Sequence, residues 1–259
     1  MNLDWLQPQW PAPARVKALC TSRRGGASCG SYDSFNLGDH VGDAAVAVAA
    51  NRTALAHALG VRPVFLSQVH GTHALALDAA SPDGQAADAA LSDQTGIACT
   101  IMVADCLPVL LTDTQGRKVA AAHAGWRGLA GRDGDGVLEQ TVKAFCAPSH
   151  AGIGFIATEI IAWLGPCIGP QAFEVGDEVR QVFVAHDPAA AALFTVAATG
   201  KWRADLAGLA RQRLAALGVR QVFGNDSSPA WCTVSQPSRF FSHRRDGISG
   251  RMAACIWLV

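Results

Sequence analysis

A succession of short apolar runs, each closed by Gly, Pro, Asp or a similar breaker, limits this chain more than any other feature. They are VFLSQVH, HALALD, GIACTIMVAD, PVLLTD, KVAAAHAG, IIAWLG, RQVFG and RMAACIWLV. Runs of this length, several of them rich in β-branched residues, read as strands. Helices intervene. One is predicted over 45–59. The strongest pattern is RADLAGLARQRLAALG, which places Leu206, Leu209, Ala210, Leu214 and Leu217 on one face, with Gly218 just past the end. Strands and helices together give an α/β or α+β class, and no linker-like break divides residues 1–259, so a single domain is expected.

Half the residues are apolar, enough to bury a sizeable core. Lys+Arg and Asp+Glu balance at 21 each, and no dense basic run occurs that could neutralise many phosphates, so nucleic acid is not the expected partner. The start lacks a basic segment leading into an apolar one, and no uninterrupted apolar stretch of about 18 residues occurs, so neither export nor a membrane span is expected. The expected location is the cytoplasm. Eight cysteines without a CxxC pair read mostly as reduced thiols and argue against a structural zinc knuckle.

Three apolar runs deliver a reactive side chain to a turn: His70 in SQVHG, Cys106 in VADCLP and His123 in AAHAGWRG. A rigid sheet holds such groups well. Taken singly, a histidine there is usually a hydrogen-bonded structural residue and a buried cysteine a small hydrophobe. The spacings match no short metal motif. As a trio, two imidazoles and a thiolate suit zinc, and three protein ligands leave a fourth position open, as in catalytic zinc sites. Asp105, pointing away from the thiol if the strand is regular, reads as a turn-capping or outer carboxylate, and Pro108 as a turn former. The same trio serves copper when an axial Met is near. Met102 would lie about 13 Å from Cys106 along a straight strand, which argues against that.

Elsewhere, Arg127 in HAGWRG can clamp an anion. Arg244, Arg245 and Arg251 cluster with His243 in FFSHRRDGISGRM and read as a surface charge cluster. Cys167, between Gly-Pro turns, is a candidate wall residue. The irregular segment 21–43 is long enough to help shape a site.

Taken in order, SRRGGAS, NLGDHVGD, SQVHG, ADC, HAGWRG, LGPCIGPQAFEVG and FFSHRRDGISGRMA resemble the YfiH-like family over nearly the whole chain. Its members have been called laccase-domain or polyphenol-oxidase proteins, zinc-dependent purine nucleoside phosphorylases and peptidoglycan editing factor. The resemblance implies mixed β-sheets layered between helices, and a metal site at His70, Cys106 and His123 holding zinc, with copper as the alternative. It implies phosphorolysis of adenosine, inosine and methylthioadenosine and hydrolytic deamination of adenosine, with a phenol oxidase activity also attributed to the family. On that reading Arg23, Asn36, Arg127 and Arg244 are candidates to bind nucleoside or phosphate, and Asp105 or His73 to move a proton. A competing reading makes Cys106 the nucleophile of a hydrolase that edits serine-containing cell-wall precursors. A protein that only sequesters a nucleoside, its metal purely structural, is disfavoured by the open fourth position. Two departures from the family pattern stand out: GLAGRDGDGVLEQ carries extra Gly and Asp after HAGWRG, and His243 replaces an aromatic residue.

Overall fold

The computed structural model describes residues 4–148 and 156–259. Two β-sheets pack face to face, with helices on the outside of each. One sheet has the order β1 (Val16–Cys20), β13 (Met252–Leu258), β5 (Ile97–Val103), β2 (Arg62–Phe65). The other has the order β12 (Gln221–Gly224), β8 (Ile160–Leu164), β6 (Leu107–Asp113), β7 (Val119–Ala124), β4 (Ala89–Ser92), β3 (Ala74–Ala76). Both are mixed: β2 runs parallel to β5, and β6 antiparallel to β7 and β8. A three-stranded antiparallel sheet of β9 (Glu174–Gly176), β10 (Phe194–Ala198) and β11 (Lys201–Ala204) stands beside them.

The period of two explains the layering. In β5, Ile97, Cys99, Ile101 and Val103 face the second sheet, while Ala98 and Met102 face α1 (Ala45–Leu59) through Leu55 and Leu59. In β6, Leu107, Val109 and Leu111 turn outward to α3 (Val137–Cys146) and α5 (Leu206–Ala216), and Leu110 turns inward. Strands covered on both faces are apolar at most positions, with few polar exceptions such as Thr100 and Thr112, which is why their sequences are continuous runs rather than alternations. The remaining helices are α2 (Trp126–Ala130), α4 (Asp177–His186) and α6 (His243–Asp246).

The eight apolar runs all contain strands, and the helices expected at 45–59 and after Arg203 form, the second capped by Asp205, which accepts from the Gly208 N–H. Leu206, Leu209, Ala210 and Leu214 are buried as expected. Two local expectations need correcting. Pro108 does not turn the chain; it is the second residue of β6, opposite His123. The turn is made by Asp105, at a φ of 90°. VFLSQVH is a strand only as far as Phe65, and His70 lies beyond it, at a φ of 59°.

The long segment 21–43 is ordered by one side chain of α1. Asn51 donates through Nδ2 to Ser28 Oγ and to the carbonyls of Ser34 and Asn36, and accepts through Oδ1 from the Ala27 N–H. Irregular backbone that cannot bond to itself finds its partners there.

Candidate metal centre

His123 projects from the end of β7, Cys106 from the turn before β6, and His70 from the segment after β2. Their ligand atoms lie within 4.8 Å of one another, and Cys106 Sγ is 3.8 Å from His70 Nε2. His123 is buried, Cys106 half-buried and His70 exposed, so the group rises from the sheet interior to an opening. It is the one set of three His, Cys, Asp or Glu side chains so arranged among the described residues.

A carboxylate that the sequence did not point out holds two of the three. Asp88, fully buried just before β4, accepts from His123 Nδ1 through Oδ1 at 2.8 Å. It also accepts from the backbone N–H groups of Val69, His70 and Gly71 at 3.2, 2.9 and 2.7 Å. With Nδ1 bonded to Asp88, His123 turns Nε2 to the thiol, and the left-handed turn carrying His70 is clamped to the same carboxylate. Such outer carboxylates fix ligand orientation in metal sites.

Burial alone would push the Cys106 thiol up, but the imidazoles of His123 and then His70 outweigh it and bring it down to about 6. Burial would lower His123, yet the Cys106 thiolate and the Asp88 carboxylate raise it to about 9. Without metal the two groups therefore form a thiolate–imidazolium pair. Four buried thiols elsewhere, Cys20, Cys99, Cys167 and Cys255, are by contrast pushed up by burial.

HAGWRG acquires a physical meaning here. A Cβ on Gly125 would lie 2.9 Å from Cys106 Sγ and 3.0 Å from His70 Cδ2, and one on Gly128 would lie 2.8 Å from the Gly71 carbonyl oxygen. The first glycine keeps the space beside the ligands open and the second lets α2 seat on the His70 turn. A soft thiolate with two imidazoles, an open flank and a carboxylate-oriented histidine fits zinc or copper.

The group lines a cavity of about 460 Å³, large enough for a small organic substrate. Trp126, Ile168, Phe173 and Leu206 give it an apolar wall, and Arg127, Arg244 and Arg251 a basic one, with His40 and His243 at its sides. Asp105 lines it too, but both oxygens are engaged: Oδ1 accepts from Thr233 Oγ1 at 2.5 Å and Oδ2 from the Arg244 N–H at 2.6 Å. It thus ties α6 to the turn that carries Cys106.

Of the residues singled out in the sequence, the cavity gathers His70, Cys106, His123, Asp105, Arg127 and Arg244. It does not include Arg23, Asn36 or His73. Arg23 donates to the carbonyls of Asp33 and Pro237 and lies over the Phe241 ring. Asn36 is fully buried and accepts from the backbone N–H groups of Gly38 and Arg251. His73 lines a separate surface depression with Lys143. Cys167 is buried away from the cavity, and its neighbour Ile168 forms the wall.

The expected surface cluster divides. Arg244 and Arg251 face the cavity, whereas Arg245 binds Asp246 and the carbonyls of Thr233 and Phe240. Asp88, Gln68, His40, His243 and Arg251 are polar site residues that the sequence did not mark for the site. Met102 reaches the cavity wall as well, its Sδ 3.9 Å from Arg52 Nη2.

The family described as multi-copper polyphenol oxidoreductase laccase matches residues 17–259. Purine nucleoside phosphorylase PA4543 of Pseudomonas aeruginosa is 49% identical over 98% of each chain. Purine nucleoside phosphorylase YfiH of Escherichia coli is 48% identical over 97% of this chain and 98% of its own. Among solved structures, Neisseria meningitidis protein NMB0706 superposes with a TM-score of 0.87 at 45% identity, over 98% of this chain and 99% of that one. YlmD from Geobacillus stearothermophilus superposes with a TM-score of 0.89 at 29% identity, over 100% and 97%.

Proposed function

The chain belongs to the family described as multi-copper polyphenol oxidoreductase laccase, and from that membership and the cavity's chemistry we propose that it is a zinc-dependent purine nucleoside phosphorylase of the cytoplasm. The observation that carries the proposal is a single three-ligand group set between an apolar wall and a basic wall in one cavity. The names of the relatives that match along nearly the whole chain support the same activity.

Phosphorolysis joins a phosphate oxygen to C1′ of the ribose and breaks the bond from C1′ to the purine, which leaves with the bonding pair and takes up a proton. The apolar wall of Phe173, Ile168, Leu206 and Trp126 suits a purine ring, and the guanidinium groups suit phosphate. His40 and His243, at the sides of the cavity, are the candidates to supply the proton to the departing base. His70, Cys106 and His123 would hold the metal, which when bound supplies a Lewis-acid charge at its fourth position. Asp88 keeps His123 and the His70 turn in register for it. Deamination of adenosine, and acceptance of methylthioadenosine, belong to the same proposal.

A second reading is favoured by the thiolate–imidazolium pair of Cys106 and His123, the state of an activated cysteine nucleophile. One experiment separates the two. Protein purified without added metal is analysed for its elements beside Cys106→Ala, and both are incubated with inosine or adenosine, with and without phosphate. About one zinc per chain and phosphate-dependent release of free base, lost together in the variant, is the expected result. Zinc-loaded wild-type protein that releases no base would overturn the phosphorylase, and a metal-free protein that takes up no zinc would move Cys106 to nucleophile.

A further inference from the structure

The basic wall of the cavity carries an inference that rests on the phosphorylase reading and identifies how its second substrate is held. Some arginines outside the cavity are matched with carboxylates, as Arg52 with Asp39, Arg117 with Asp113 and Arg213 with Glu139, and others, such as Arg62 and Arg211, with backbone carbonyls. Among the described residues, Arg127, Arg244 and Arg251 have no carboxylate partner, and both oxygens of the cavity's carboxylate, Asp105, are already engaged. Three guanidinium groups that form no carboxylate pair outnumber the cavity's one carboxylate, and that positive excess suits an anionic ligand.

Arg251 differs from the other two in how firmly it is held. Its stem lies in a notch that exists because residue 38 is glycine: a Cβ there would come within 2.8 Å of Arg251 Cγ. Its backbone N–H donates to Asn36 Oδ1 at 2.8 Å, and Asn36 is itself fixed by Gly38 and Asp43. Nη1 donates to the carbonyls of Ser249 and Gly250 at 2.9 and 3.1 Å. Nε and Nη2 have no protein partner among the described residues. One side of the guanidinium is therefore anchored to backbone, and the Nε–Nη2 edge, the fork that matches two oxygens of an oxyanion, is left open. Arg127, by contrast, is exposed and only stacks on Trp126, and Arg244 is tied to the Glu174 carbonyl. Arg251 also lies near enough to Cys106 and to Asp105 for their charges to act on it.

We propose that Arg251 binds the orthophosphate co-substrate through its Nε–Nη2 edge beside the metal centre, and that Asn36 is a positioning residue acting through it. The irregular segment 21–43 then serves the site indirectly, by holding an arginine that arrives from more than 200 residues further along the chain.

The test compares Arg251→Gln and Arg251→Lys with wild type, each loaded with zinc and checked for metal content and circular dichroism. With inosine saturating and phosphate varied, the phosphate KM is expected to rise about 10–100-fold in Arg251→Gln, the loss of a charge-assisted pair of hydrogen bonds, while the inosine KM stays within about twofold. Lysine, a point charge without the fork, should restore part of the loss. Independently of turnover, 31P NMR should show orthophosphate broadened by the wild type and not by Arg251→Gln. Unchanged phosphate KM and unchanged broadening in a zinc-loaded Arg251→Gln overturn the assignment, as does absence of broadening by the wild type. If Arg251→Gln fails to fold, a wild-type phosphate KM in Arg251→Lys does the same. Broadening that depends on Arg251 in a protein that phosphorolyses no nucleoside would leave the phosphate site standing and remove the phosphorylase reading.

Discussion

Asp88 shows what a single buried carboxylate can do when four donors converge on it. It orients the imidazole of His123 and pins the turn of His70, so the two histidines keep their relation although they sit on different segments. Asp88→Asn keeps the shape but presents an amide N–H₂ where one oxygen accepted. It is expected to weaken zinc affinity about 10–100-fold, read by competition with a chromophoric chelator. Affinity equal to wild type would show the carboxylate to be dispensable. A second outcome concerns the metal-free protein. The Cys106 thiol is lowered from 9.0 to about 6, so its reactive thiolate is formed above that pH and lost below it. Residue-resolved alkylation should rise through pH 6 at Cys106, and a midpoint near 9 would contradict the pairing with His123. At this scale the three side chains that come together were legible because each closes an apolar run. Asp88 was not, since QAADAAL places it among alanines with no pattern pointing to a histidine 35 residues away. Arg23 and Asn36 lie in family-like motifs, yet what those motifs hold together is loop backbone.

The connection between α2 and α3 illustrates how an element is secured without touching the site. The extra Gly and Asp residues after HAGWRG form a turn whose arginine and aspartate, Arg132 and Asp133, are exposed, and none of the residues 128–137 lines the cavity. Arg213 of α5, buried beneath it, donates to the carbonyls of Ala130 and Gly134 and meets Glu139 of α3 with Nε 3.0 Å from Oε1, though not aligned as a hydrogen bond. Truncating Arg213 to Met would leave a largely buried carboxylate and two carbonyls without their partner, a loss of about 3 kcal/mol in denaturant unfolding. A loss under about 1 kcal/mol would mean that the pair contributes little beyond packing. The central strands were legible as runs because burial on both faces makes them predominantly apolar. The turns were less so: a proline after a cysteine suggested a bend, but a strand can begin at Leu107 with Pro108 second, and the positive φ of Asp105 leaves no mark in composition.

Considered as a whole, the protein places its reactive groups where two sheets and two helical layers meet. His70, Cys106 and His123 approach from separate segments, so an ion shared by them binds the folded state and not the unfolded chain. Zinc at a hundred times its dissociation constant should add about 2.7 kcal/mol. For a chain of this size that corresponds to a melting temperature roughly 5–10 °C above that of chelator-treated protein, restored by zinc. Equal melting temperatures for the zinc-loaded and stripped protein would argue against a bound ion. No helix among the described residues is long and apolar enough to cross a membrane. The layered α/β arrangement could be anticipated from the order of runs and helices, whereas the pairing of strands could not, because partners such as β1 and β13 are joined by no hairpin signal.

That pairing has a consequence for how the protein comes into being. β13, last of the strands in sequence order, lies between β1 and β5, and Arg251 immediately precedes it. During synthesis β1 therefore has no neighbour in its sheet until residues 252–258 have left the ribosome, and the cavity lacks its anchored guanidinium for the same interval. The pairing that joins β1 to β5 and the anchoring of Arg251 thus depend on one and the same segment, so a chain cut short before residue 251 would lose both together.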